Sequence, residues 1–195
     1  MLKIEKIKKV CYTNCMQVFY TWNKQNSSQF LKLLLQNYFN ITEYTLQKNT
    51  YGKKYILLPN GTIPLHFSIT HSKNLLAIAF YTEAIGLDAE YIRTKIPQSI
   101  LHTFTEQEQK ECTTSYNFLK NWTAKESYIK LQGKSILQEL KKLSYSNQQL
   151  TYCEKLVSYH LEFQEIKNKD DIYILAICTK EVTDSIHLTE IKNIE

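Results

Sequence analysis

Apolar and polar positions along the chain fall into two periods. From Phe118 to Leu131 no proline or glycine interrupts the run, and at roughly 100° per residue Leu119, Trp122 and Ile129 share one face of a predicted helix that Gly133 closes. A second helix is predicted through Phe30, Leu31, Leu33, Leu34, Leu35 and Tyr38, with Ser27-Ser28 as its cap. A short one should start at Thr105, whose capping-box partner Glu108 follows three residues later. Elsewhere the period is two. An opening strand falls at 2–10 or 15–20, and Phe67 and Ile69 alternate as on a strand. The apolar run 75–80 reads as a buried strand, and a turn at 82–84 leads into the strand 85–90. Late in the chain 156–166 alternates, 167–171 turns, 172–178 repeats the apolar run, and 185–191 offers a third strand of that group. Two halves, each with a helix and antiparallel strands, predict an α/β (α+β) fold built as a pseudo-twofold duplication, with subdomains at 1–98 and 99–195 and a site at their junction.

Polar residues that break this pattern carry the candidate chemistry. Glu126 points from the middle of the apolar stripe, where a carboxylate must take up a proton or find a cation. Lys130, one turn on, lies on the same side, so an ordinary i,i+4 pair is the plain alternative. In Ile85-Gly86-Leu87-Asp88-Ala89-Glu90, alternation puts Asp88 and Glu90 on one face. Three carboxylates brought together would repel unless a divalent cation sat between them, and oxygen ligands suit Mg²⁺ or Mn²⁺. Thr70-His71-Ser72 sets hydroxyls around an imidazole at a strand end, which suits either a phosphate contact or a turn with no task. Lys53 and Lys54 beside Gly52 read, on their own, as solvated turn lysines.

Composition narrows the classes. At 195 residues the chain fits one large domain or two small ones, and with 4 glycines and 3 prolines it has no linker to string halves apart. Residues 1–10 are charged throughout and lack the apolar core of a signal peptide, and the longest apolar run, 75–81, is too short for a bilayer. A cytoplasmic protein without membrane association is expected. The 5 cysteines (11, 15, 112, 153 and 178) lack zinc or disulfide spacing and read as reduced thiols. A net charge of +5 leans towards a phosphate-bearing ligand or acidic partner, while a single arginine, Arg93, argues against nucleic acid. No Walker loop is present.

Five blocks in order, Tyr51-Gly52-Lys53-Lys54, Phe67-Ser68-Ile69-Thr70-His71-Ser72, Gly86 to Glu90, Phe104-Thr105-Glu106-Gln107-Glu108, and Trp122 to Lys130 with Gly133-Lys134, resemble the 4'-phosphopantetheinyl transferase family in its larger Sfp-type branch. The resemblance implies transfer of the phosphopantetheine arm of coenzyme A to a serine of an acyl or peptidyl carrier protein, with release of 3',5'-adenosine diphosphate. It implies Asp88, Glu90 and Glu126 as ligands of Mg²⁺, with Asp88 also beside the coenzyme. Glu126, or a water it orients, would be the base, with a hydroxide on the cation as the alternative. Catalytic Lys130, together with Lys125, would contact the coenzyme phosphates or the departing diphosphate. His71, with Thr70 or Ser72, and Lys53 would bind the coenzyme, and a monomer is implied. This chain departs from the family at Lys54, Ser68 and Ser135, and offers only Lys24 and Lys32 where relatives place arginines for the coenzyme 3'-phosphate. Two other readings fit the same residues: a non-catalytic carrier-binding module, or another metal-dependent phosphoryl-transfer enzyme.

Overall fold

A computed structural model describes residues 15–22 and 26–192. Strand β1 (Cys15–Thr21) is followed by helix α1 (Ser27–Asn37), the hairpin β2 (Thr45–Lys48) and β3 (Lys54–Leu57), and three successive strands, β4 (His66–Ser72), β5 (Leu75–Tyr81) and β6 (Ile85–Tyr91). Helices α2 (Gln98–Leu101), α3 (Glu106–Glu111), α4 (Ser115–Gln132) and α5 (Ile136–Glu139) fill the middle of the chain. A meander of β7 (Leu143–Ser146), β8 (Gln149–Tyr152) and β9 (Lys155–Leu156) leads to the long pair β10 (His160–Asn168) and β11 (Asp171–Thr179), and β12 (Ser185–Glu190) ends the described chain. The expected strand at 2–10 lies outside the described residues. No described helix is long and apolar enough to cross a membrane.

The main sheets are β12-β1-β5-β4 and β10-β11-β6. One core fills the space between their faces, with Met16, Val18, Ala77 and Ala79 meeting Leu87, Ala89, Leu175 and Ile177. Strand alternation sends Phe19, Ile78 and Phe80 to the opposite face of the first sheet, where α1 covers them with Phe30, Leu31, Leu34 and Leu35. The cap of α1 is Asn26, whose side chain accepts from the Ser28 N–H, one residue before the expected serines.

Strand β12 departs from expectation. It does not extend the late group but pairs in parallel with β1, where Ile186 and Leu188 find apolar cover on the first core. Every other described ladder is antiparallel. Because β6 pairs with β11 and β12 with β1, each side of residue 98 lends one strand to the other's sheet. The two main sheets differ in strand number and order, so this topology does not by itself establish a duplication.

Helix α4 also differs from its expected single stripe. Phe118 and Leu119 pack with Phe104 and Ile174, while Ala124, Tyr128, Ile129 and Leu131 pack with Leu143, Tyr145 and Cys178, so apolar residues are buried around most of its circumference. Trp122 is only partly buried. The Thr114 side chain caps the start, and Gly133, at φ 62°, donates back to the carbonyls of Ile129 and Lys130 at the end. Gly86 lets the helix lie against β6. A Cβ there would sit 1.8 Å from the Ser127 carbonyl oxygen, so no larger residue fits without moving the helix.

Candidate active site

Strands β4 and β6 are edges of different sheets, yet hydroxyls bridge them. Leu87, Ala89 and Tyr91 donate their backbone N–H groups to Ser68 Oγ at 2.9 Å, Thr70 Oγ1 at 3.1 Å and Ser72 Oγ at 2.9 Å. Thr70 in turn donates to Asp88 Oδ1 at 3.2 Å, and Ser72 to Glu90 Oε2 at 2.9 Å. The carboxylates of β6 are thereby turned towards this seam and towards α4.

From α4, Lys130 Nζ reaches Asp88 Oδ1 at 2.7 Å. Asp88 Oδ2 is buried and accepts no hydrogen bond. Glu126 lies close by. Burial pushes its carboxyl up to about 8, the Asp88 charge adds to the rise, Lys130 opposes it, and Glu90 and a hydrogen bond with Asp88 add the rest. Burial likewise raises Glu90, whose partners Ser72 and Arg93 work against the rise. The three acids therefore meet electrostatically, but the expected cage is not preformed. Among the described residues no group of three acids, histidines or cysteines is arranged to hold a metal ion. Lys130 pairs with Asp88 and Arg93 with Glu90 instead.

Beside the acids opens a cavity of ≈ 370 Å³ whose lining includes Lys53, Lys54, His71, Lys130 and Lys134. These lysines are not equivalent. Lys53 Nζ donates to the carbonyls of Lys130 at 2.6 Å, Ile85 at 3.0 Å and Leu131 at 3.4 Å, and burial lowers its pKa to about 8. It ties β3 to the carbonyl end of α4, as does Asn49 Nδ2, which donates to the Gly133 carbonyl at 2.8 Å. Lys134 stands 3.7 Å from Glu139. Lys54 has no ion-pair partner among the described residues and faces Lys48 across the hairpin.

The segment that carries β6, α4 and most of β11 is also the segment with known relatives. A profile of the 4'-phosphopantetheinyl transferase superfamily matches residues 84–178. These residues belong to that superfamily. The chain is 31% identical over 96 residues to the 4'-phosphopantetheinyl transferase gsp of Aneurinibacillus migulanus, which covers 46% of this chain and 38% of the relative. It is 36% identical over 81 residues to the 4'-phosphopantetheinyl transferase HetI of Nostoc sp., covering 37% of this chain and 34% of the relative. The chain thus spans well under half the length of the curated relatives it matches.

Within this segment and its neighbours, Asp88, Glu90, Glu126 and Lys130 come together, and His71 reaches the cavity from β4. Three expected positions are redirected. Thr70 and Ser72 are buried and turned to the acids, because alternation along β4 sends them to the side opposite His71. Lys125 does not reach the cavity. It is buried against Glu108 at 2.8 Å and lies 3.5 Å from the centre of the Phe104 ring. Burial lowers its pKa and the Glu108 charge opposes that. Glu108 meanwhile accepts from the Tyr145 and Thr105 N–H groups, so the pair anchors α4 to α3 and β7. Lys24 lies outside the described residues, and Lys32 is exposed on α1. Arg93 as the partner of Glu90 was missed, although its i,i+3 spacing signals the pair.

Proposed function

We propose that the chain transfers the 4'-phosphopantetheine arm of coenzyme A to a serine of an acyl or peptidyl carrier protein, releasing 3',5'-adenosine diphosphate, with Mg²⁺ or Mn²⁺ as cofactor. One observation carries the reading: Asp88, Glu126 and Lys130 meet beside a cavity lined by further lysines. Acids next to a basic cleft suit the cation complex of a diphosphate.

The donor set fits such a cation. Asp88 Oδ2 is buried with no hydrogen-bond partner, and burial and the Asp88 charge disfavour the ionised form of Glu126; an oxygen-seeking ion would answer both. Asp88, Glu90 and Glu126 would hold it, and it would supply charge neutralisation at the diphosphate. Lys130 neutralises the departing phosphate from the cavity side. Lys54 and His71 bind the coenzyme phosphates, and the like-charge opposition of Lys48 and Lys54 is relieved when an anion arrives. Lys53 holds the end of α4 in place beneath them. Glu126, once ionised, accepts the serine proton as the serine oxygen bonds to phosphorus and the bond to 3',5'-adenosine diphosphate breaks. The proposed subdomains are 1–98 and 99–195, with the exchange that β6, carrying Asp88 and Glu90, is seated in the sheet of the second.

Intact-mass spectrometry of an apo carrier protein incubated with coenzyme A and Mg²⁺ tests the reading. The carrier should gain one phosphopantetheine, and Glu126→Gln or Asp88→Ala should lose at least about 10²-fold in rate. Unchanged carrier mass with folded protein would favour a non-catalytic carrier-binding module. Metal-dependent cleavage of nucleic acid would favour a different phosphoryl-transfer enzyme.

A further inference from the structure

The seam between β4 and β6 has three struts, and they are not alike. All three hydroxyls accept a backbone N–H from β6 at 2.9 to 3.1 Å. The oxygen's second bond is what differs. Ser68 reaches only the Leu87 carbonyl, at 3.5 Å, whereas Thr70 and Ser72 each donate to a carboxylate, at 3.2 and 2.9 Å. Each of those hydroxyls accepts from the residue just after the acid it binds, so hydroxyl, N–H and carboxylate close a small ring around Asp88 and again around Glu90. Thr70 is 3% exposed and Ser72 9%, so water does not replace either bond readily.

We infer that Thr70 and Ser72 are positioning residues which seat the Asp88 and Glu90 carboxylates for cation binding, while Ser68 only joins the sheets. The cation part rests on the function proposed above; the seating part does not. A hydroxyl that accepts a backbone N–H has fewer directions left in which to donate. The carboxylate it holds is restricted in rotamer, with Asp88 Oδ1 engaged and Oδ2 buried and without a hydrogen-bond partner. Without Thr70, the Asp88 side chain would be held by Lys130, whose side chain is 24% exposed.

Ser68 supplies an internal control, because its removal breaks the same kind of strut with no acid attached. Mn²⁺ binding by the full chain, followed by the loss of the free-ion electron paramagnetic resonance signal, should weaken about tenfold in Thr70→Val and in Ser72→Ala. Ser68→Ala should bind as the parent does, and Thr70→Ser should restore affinity. Thermal unfolding without metal gives a second readout. The shifts from Thr70→Val and Asp88→Asn should fail to add by about 3 °C or more, and those from Ser68→Ala and Asp88→Asn should add. Equal loss of Mn²⁺ affinity in all three hydroxyl variants, or additive shifts at residues 70 and 88, would overturn the inference. If the parent binds no Mn²⁺ while residues 70 and 88 remain non-additive, the cation reading fails and the seating stands. Should Thr70→Val not fold, Ser72→Ala against Ser68→Ala carries the same comparison.

Discussion

Under the proposed function, cation binding at Glu126 is a proton-exchange reaction. Its carboxyl is pushed up to about 8 by burial and by Asp88, so a proton held there competes with a cation near neutral pH. A divalent ion that uses Glu126 must displace that proton. Binding at pH 7 should therefore release protons, and apparent Mg²⁺ affinity should rise with pH up to about 8 and level off above it. Isothermal titration at one pH in two buffers of different ionisation enthalpy measures the release directly. The same proton acts on folding. The unfolded chain loses it near 4.5 and the folded chain near 8, so between those values the folded state binds more protons. Stability of the metal-free protein is then greatest below about 4.5 on this group's account and falls as pH rises towards 8. Glu126→Gln should flatten that slope. Measurable Mg²⁺ binding with no proton release at pH 7 would refute the reasoning, since it would mean that Glu126 is either not a ligand or not protonated.

Gly86→Ala should destabilise the protein by at least about 3 kcal/mol in urea unfolding, because the added methyl has no room against the Ser127 carbonyl and the helix must move. Lys125→Met leaves Glu108 as an uncompensated buried carboxylate and should cost about 3 to 5 kcal/mol in the same assay, while the KM for coenzyme A of the remaining folded enzyme stays near that of the parent. Lys54→Ala and His71→Ala should each raise that KM more than they lower kcat, as loss of ground-state phosphate contacts does; equal falls in kcat and kcat/KM would contradict the assignment.

Local rules carried much of the fold. The Thr105 and Glu108 capping box, the Gly133 terminator and the sequence of β4, β5 and β6 follow from residues within a few positions of one another. Glu126 was legible too, since an acid amid apolar neighbours announces a burial problem. What sequence could not carry was the choice of distant partner. The run 185–190 reads as a strand wherever it lies, but only the free edge of β1 and the apolar cover for Ile186 and Leu188 decide where it adds. Strand β2 is exposed along its whole length, and β7 to β9 are at most 4 residues each, so the Leu143 and Tyr145 alternation of β7 is too brief to stand out. Thr70 and Ser72 were placed with His71 because they adjoin it in sequence, although strand geometry points them the other way.

The division of labour along α4 follows from angle alone. Lys125 and Lys130 are five residues apart, about 140° around the helix, whereas Glu126 and Lys130 are about 40° apart. One lysine must therefore face away from the acids that the other approaches. Glu108 meets Lys125 on that far side and holds the helix to α3 and β7, while Gly86 allows the near side to approach β6. Neither Glu108 nor Gly86 touches the cavity, yet together they fix how far Glu126 stands from Asp88. The raised pKa of Glu126 depends on that approach, because both its largest cause, burial, and the next, the Asp88 charge, weaken as helix and strand separate. An acid able to exchange a proton for a cation near neutral pH is thus a consequence of packing between α4 and β6, and not of Glu126 alone.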